Sequence, residues 1–152
     1  ESRKKCVIRK NKMQVDISWQ GNVHFVASNE SGHQVLMDGP PESGGQDKGC
    51  RPMELMLMGL GGCTAFDVVE ILRKGRQQID HVEISLNAKR ADTVPAVFEE
   101  IAIHFIISGT GVDEGRVNRA IALTAEKYCS ASIMLESAGV AISHTFEIKG
   151  SN

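Results

Sequence analysis

Alternation of apolar and polar residues predicts three short strands near the start of the chain. The runs MQVDISW (13–19) and VHFVAS (23–28) alternate at period two, HQVLM (33–37) forms a third short run, and the turn residues QGN and NESG separate them. We therefore expect a three-stranded meander. The next segment, DGPPESGGQDKG (38–49), is rich in glycine, proline and charge and has no periodicity, so it predicts a flexible surface loop.

A long apolar helix is predicted next, with Pro52 in its first turn and Gly75 after its end. Between Met53 and Leu72 apolar residues occur on every face of this helix, a pattern typical of a buried helix. Three preceding strands are too few to enclose it. We expect a sheet, other helices or a partner subunit to cover it.

The remainder of the chain predicts three strands and two helices. The order of elements is β-β-β-α-β-β-α-α-β, which lacks the strict alternation of a parallel doubly wound sheet and indicates an α+β fold. The strands are HVEISLNAKR (81–90), EEIAIHFIIS (99–108) and VAISHTFEIK (140–149), and the helices are RVNRAIALTAEKY (116–128) and SASIMLESA (130–138).

Length and charge limit the class of protein. A chain of 152 residues with 41% hydrophobic residues fits one domain, which we assign to residues 13–152. Residues 1–12 carry six of the 17 basic residues and one of the 19 acidic ones, and we interpret them as a disordered basic tail, added or upstream of the domain. The remaining residues have 11 basic and 18 acidic side chains, a net charge of −7, which argues against a nucleic-acid partner.

Targeting signals and metal motifs are not evident in the sequence. No run reaches the roughly 20 uncharged apolar residues of a membrane span, and the N-terminus lacks the apolar core of a secretory signal, so we expect a cytoplasmic protein that does not bind membranes. The four cysteines follow neither a disulfide-framework nor a zinc-site spacing, and the five histidines are dispersed. We expect neither a metal nor a cofactor, and we interpret Cys50 as an ordinary loop thiol.

Two cysteines lie in segments that could favour reactivity. Cys63 follows Gly59 by one helical turn on the same face, which leaves space beside its sulfur for close packing or a small substrate. Cys129 lies next to possible helix caps at Ser130 and Ser132, where N–H dipoles favour a thiolate. Spacing alone leaves the alternative open that both are small, buried core residues.

The motifs RPMELMLMGLGGC (51–63) and EKYCSASIML (126–135), with the element order, resemble the OsmC/organic hydroperoxide resistance family, and most closely its YhfA-like branch. The resemblance covers residues 13–149. It implies an intertwined homodimer in which two central helices are buried between sheets, with an active site at each side of the dimer interface. It also implies that Cys63 is the peroxidatic cysteine, that Cys129 is the resolving cysteine and that organic hydroperoxides are the substrates.

The chain departs from the family's peroxidases at two charged positions. Met53 occupies the place of their glutamate after the helix-opening proline, and the nearest acid, Glu54, is about 180° around an ideal helix from Cys63. Residues 10–50 contain no arginine, so Arg51 is the candidate to polarise the peroxide and hold the thiolate. We include Arg51 and Glu54 as candidate site residues.

The carboxylates on the face of Cys63 are Asp67 at i+4 and Glu70 at i+7. A carboxylate beside a thiol raises the pKa of that thiol, which opposes nucleophilic attack. Two hypotheses therefore stand. The chain is a thiol peroxidase recycled by a dithiol reductant, or it is a non-catalytic protein of the same fold that binds a small apolar ligand at the dimer interface, with structural or redox-sensing cysteines.

Overall fold

The order of elements is the predicted one. The computed structural model describes residues 12–151, so the proposed tail lies, except for Lys12, outside the described residues. A short 3₁₀ turn follows the third strand, and a π turn joins the last two helices. The elements are β1 (Val15–Trp19), β2 (His24–Asn29), β3 (Gln34–Asp38), α1 (Pro52–Lys74), β4 (Gln78–Arg90), β5 (Phe98–Thr110), α2 (Glu114–Leu123), α3 (Ser130–Ser137) and β6 (Ala141–Gly150).

Contacts within the chain divide it into two units, and the division falls inside α1, between Met56 and Leu57. The prediction of one domain over residues 13–152 therefore stays a prediction. In the first unit, β1, β2 and β3 form an antiparallel sheet in that order, which confirms the predicted meander. The β1–β2 turn is closed by the Trp19 indole N–H, which donates to the carbonyl of Asn22 over 2.8 Å.

The loop after β3 is more ordered than its composition predicts. The buried Asp38 carboxylate accepts hydrogen bonds from the backbone N–H groups of Gly39, Gln46 and Lys48 at 2.8, 3.0 and 3.1 Å. At its far end the loop rejoins β3, where the N–H of Cys50 donates to the carbonyl of Leu36. The loop therefore has a defined hydrogen-bonded structure, because one carboxylate accepts from three donors that would otherwise need water. Its expected flexibility stays a prediction.

The second unit is built on a sheet of order β4-β5-β6, antiparallel between β4 and β5 and parallel between β5 and β6. All three strands were predicted from the sequence, β4 and β5 by their period-two alternation. The central strand β5 supplies most of the buried sheet residues, and α1 and α2 pack apolar side chains into the same core. The core side chains include Ile101, Ile103, Phe105 and Ile107 of β5, Leu60, Val68 and Leu72 of α1, and Val117, Ala120 and Ile121 of α2.

Helix α1 is buried on one face and exposed elsewhere. Met58 is 58% exposed and Phe66 is 68% exposed, because the sheet of the second unit covers only one face of the helix. Residues 12–151 of a single chain therefore do not supply the enclosure expected for an all-apolar helix. By length and composition alone, α1 could cross a membrane, and the core helix of a water-soluble protein meets the same criteria.

Candidate functional site

The glycines of α1 differ in their surroundings. A Cβ atom at Gly61 would lie 2.9 Å from Cδ1 of Leu86 on β4, so this glycine permits close packing of the helix on the sheet. Cβ atoms at Gly59 and Gly62 would meet nothing within 4 Å. Close helix–sheet packing therefore accounts for one of the three glycines, and Gly59 leaves open space one turn before Cys63.

Cys129 is held at the start of the last helix. Residues Thr124–Tyr128 form the π turn, and Cys129 then adopts an extended conformation as the N-cap of α3. Its buried sulfur accepts a hydrogen bond from the N–H of Ser132 at 3.4 Å. The N-cap role expected of Ser130 or Ser132 thus belongs to Cys129 itself, since Ser130 is already the first helical residue.

The fold brings the two central cysteines together. Their Sγ atoms lie 3.0 Å apart although 66 residues separate them in the chain, and both are free thiols. Thr64, the residue after Cys63, contributes a hydroxyl 3.4 Å from the Cys129 sulfur. A disulfide bond is about 2.05 Å long, so the sulfurs need to approach by only about 1 Å more to form one.

Several groups act on the Cys63 thiol. Partial burial raises its pKa most, because it disfavours the charged thiolate. The N–H of Ala131, in the first turn of α3, opposes this effect by donating to the sulfur, whereas Cys129 and the Asp67 carboxylate raise the pKa further. The net effect is a raised pKa, as the position of Asp67 in the sequence led us to expect.

Asp67 also belongs to the site. From the sequence we expected only that its carboxylate would raise the pKa of Cys63. One donor atom each of Cys63, Asp67 and Cys129 lie within 4.8 Å of one another, close enough to hold a metal ion together. The i, i+4 spacing of Cys63 and Asp67 was the available signal, but Cys129 joins them only through the fold. Glu70, the other carboxylate expected here, pairs instead with Lys74 at 3.5 Å.

Arg51 and Glu54 belong to the first unit and have local partners there. The guanidinium of Arg51 donates to the carbonyl of Asp38 at 3.3 Å. The Glu54 carboxylate accepts from the backbone N–H of Arg51 at 2.8 Å, which satisfies a donor at the start of α1 in the manner of a capping box. Both contacts stabilise the beginning of the helix, and the catalytic roles expected of these residues stay predictions.

The site thus consists of two free thiols, one on the long helix α1 and one at the N-terminus of α3. In an α+β fold this arrangement is that of a dithiol protein. The sequence pattern of the OsmC-like protein family matches residues 45–145, and the chain belongs to this family. Protein YhfA of Escherichia coli strain K12 is 46% identical over 136 residues, which cover 90% of this chain and 98% of YhfA. These matches confirm the resemblance seen in the cysteine motifs.

Solved structures share the fold. A hypothetical protein from Aquifex aeolicus VF5 has 29% sequence identity and a TM-score of 0.81, covering 93% of this chain and 99% of its own. An organic hydroperoxide resistance protein OsmC from Legionella pneumophila has 17% identity and a TM-score of 0.69, covering 90% of this chain and 96% of its own. At 17% identity the second likeness concerns the fold alone.

Proposed function

We propose that this protein is a thiol-dependent peroxidase that reduces organic hydroperoxides, with Cys63 as the peroxidatic cysteine and Cys129 as the resolving cysteine. The single observation that carries the proposal is the 3.0 Å separation of the two sulfurs. A structural neighbour named as an organic hydroperoxide resistance protein suggests the substrate class.

The proposed reaction has three steps. The Cys63 thiolate attacks the O–O bond of ROOH, which gives the Cys63 sulfenic acid and, after one proton is taken up, the alcohol ROH. The Cys129 thiol then condenses with the sulfenic acid, which forms the Cys63–Cys129 disulfide and releases water. A dithiol reductant reopens this disulfide by exchange and is itself oxidised.

The raised pKa of Cys63 leaves a small thiolate fraction at neutral pH, so the site must stabilise charge as it forms. The N–H of Ala131 is directed at the Cys63 sulfur, and that of Ser132 donates to the Cys129 sulfur. Both belong to the first turn of α3, whose dipole favours negative charge. The family resemblance adds Arg51 as a further stabilising cation, a prediction that the activity of Arg51→Gln would test.

The proposal includes a homodimer, as the family resemblance implies. Exposed apolar side chains on α1 and on β1 support it, because Phe66 is 68% exposed and Trp19 is 66% exposed, and a second copy of the chain would cover such surfaces. The proposed compartment is the cytoplasm, where thiol reductants reopen catalytic disulfides.

The test is reaction of the reduced protein with one equivalent of cumene hydroperoxide, followed by thiol counting and mass mapping. We expect wild type to lose two thiols and form the Cys63–Cys129 linkage. In Cys129→Ser we expect a trapped Cys63 sulfenic acid, and in Cys63→Ser no reaction. Cys50→Ser is the matched control and should behave like wild type. Survival of all thiols in excess peroxide would disprove the proposal.

The second candidate function is a non-catalytic protein that binds a small apolar ligand at the dimer interface. The raised pKa of Cys63 and the methionine at position 53 favour it, because both weaken the case for a reactive thiolate. Under this alternative, Cys63→Ser leaves ligand binding intact and the wild-type thiols resist mild oxidation. The peroxide experiment therefore separates the two candidates.

A further inference from the structure

The Asp67 carboxylate is not explained by peroxide chemistry. It lies within 4.8 Å of both cysteine sulfurs, where a negative charge opposes formation of the Cys63 thiolate. Within residues 12–151 it has neither a side-chain hydrogen bond nor an ion pair, unlike Glu70, which pairs with Lys74. A half-buried anion beside two thiols, with no cation of its own, is an arrangement suited to a bound cation.

We propose that Cys63, Asp67 and Cys129 form a binding site for a thiophilic divalent cation of the Zn²⁺ type. Each residue supplies one ligand atom, so the ion has two sulfur ligands and one oxygen ligand. The fourth position of a tetrahedral ion stays open to water or an external ligand, as in zinc sites with three protein ligands. Two sulfur ligands favour Zn²⁺ or Cd²⁺ over Mg²⁺ and Ca²⁺, which prefer oxygen ligands only.

The geometry requires a small adjustment. Two Zn–S bonds of about 2.3 Å at a tetrahedral angle place the sulfurs about 3.8 Å apart, compared with 3.0 Å between the free thiols. A small change in the Cys63 side-chain torsion can provide this difference. Cys129 moves less than Cys63, because it is fully buried and its sulfur accepts a hydrogen bond from the Ser132 N–H at the N-terminus of α3.

Binding of the ion offsets most of the negative charge of its three ligands. Two thiol protons leave to solvent, and the two thiolates with the Asp67 carboxylate surround a dication, leaving one net negative charge. The carboxylate that disfavours a bare thiolate thus favours the metal-bound one. The sulfurs of a disulfide are no longer thiolate ligands, so the bound ion and the Cys63–Cys129 disulfide exclude each other.

The proposed Zn²⁺ site can be tested independently of the peroxidase proposal, because the experiment measures metal binding and uses no peroxide. The test is titration of the reduced 152-residue chain carrying Cys6→Ser and Cys50→Ser with Zn²⁺ in competition with a chromophoric chelator. Co²⁺ titration is the second readout, because thiolate-to-cobalt charge-transfer absorption reports the number of sulfur ligands. The variants are Cys63→Ser, Cys129→Ser and Asp67→Asn, with Glu70→Gln as the matched carboxylate control.

We expect one Zn²⁺ per chain, loss of tight binding in either serine variant, and at least about tenfold weaker binding in Asp67→Asn. Glu70→Gln should bind like its parent. If a serine variant fails to fold, alkylation of the folded parent protein must abolish binding instead. Absence of saturable Zn²⁺ binding, or unchanged affinity in Asp67→Asn, would overturn the three-ligand site, whatever the peroxide experiment shows.

Discussion

The pKa of the Cys63 thiol is set by neighbouring groups with opposite effects. Burial and Asp67 disfavour its thiolate, and a backbone N–H from the first turn of α3 favours it. Burial is the largest of these effects, so the thiol is predominantly protonated at neutral pH. A reaction that consumes the thiolate therefore depends strongly on anything that changes the local charge.

Removing the charge of Asp67 should make Cys63 more reactive. In Asp67→Asn the nearest anion is lost, so the pKa of Cys63 falls and its thiolate fraction at neutral pH rises. We expect alkylation of Cys63 by iodoacetamide to become about two- to fivefold faster, since lower basicity offsets part of the gain. The measurement is the pH profile of alkylation in the presence of a metal chelator. Glu70→Gln should leave the profile unchanged, and a slower Asp67→Asn reaction would contradict the electrostatic account.

At the scale of the element, the loop between β3 and α1 is organised around one buried carboxylate. Asp38 accepts three backbone N–H groups from the loop, and these hydrogen bonds hold its pKa below the usual value of 3.8. A carboxyl whose pKa is lower in the folded than in the unfolded state stabilises the fold at neutral pH. This contribution is present above pH 4 and is lost as the pH falls through the folded pKa.

Asp38→Asn should therefore lower stability at neutral pH and lose its effect in acid. The amide keeps the shape of the side chain, but its oxygen is a weaker acceptor than a carboxylate oxygen. Its NH₂ group replaces one of the two carboxylate oxygens and cannot accept from the backbone N–H groups that face it. We expect a lower urea midpoint than wild type at pH 7, with the difference shrinking as both proteins are taken below the folded pKa of Asp38. Asp47→Asn, in the same loop, is the control. A difference that is constant with pH would mean that charge is not the cause.

At the scale of the whole molecule, a single chain leaves much apolar surface uncovered. Val15, Ile17 and Trp19 on one face of β1 are each more than 60% exposed, and Phe66 on α1 is 68% exposed. Isolated exposed apolar side chains are ordinary, but repeated ones on a strand and a helix mark surfaces that another molecule covers. Our proposal of a homodimer follows from this exposure and from the family.

The dimer is tested by light scattering coupled to size-exclusion chromatography. We expect wild type to elute at twice the chain mass and Phe66→Glu to shift towards monomer, because a charge in an apolar interface is not compensated. Val94→Glu is the matched control, since Val94 is fully exposed in the turn between β4 and β5. A monomeric wild type, or an unaffected Phe66→Glu dimer, would contradict the proposal.

Local patterns predicted most of the elements. Period-two alternation located β1, β2, β4 and β5, because this periodicity is present in the order of the residues. The runs HQVLM and VAISHTFEIK located β3 and β6, and the apolar run between Pro52 and Gly75 located α1. The Cys63–Asp67 spacing likewise indicated that a carboxylate would raise the pKa of the thiol. The hydrogen-bonded structure of the loop around Asp38 was not predicted, because composition does not reveal which backbone N–H groups of the loop turn towards that carboxylate.

The sequence by itself determined the element order, the α+β class and the two cysteines in their helical settings. Only the tertiary structure decided that Cys63 and Cys129 lie 3.0 Å apart and that Cys129 joins Cys63 and Asp67 in a three-donor cluster. The physical reason is range: periodicity and capping act over a few residues, whereas a contact between residues 66 positions apart depends on how the helices pack against the sheet.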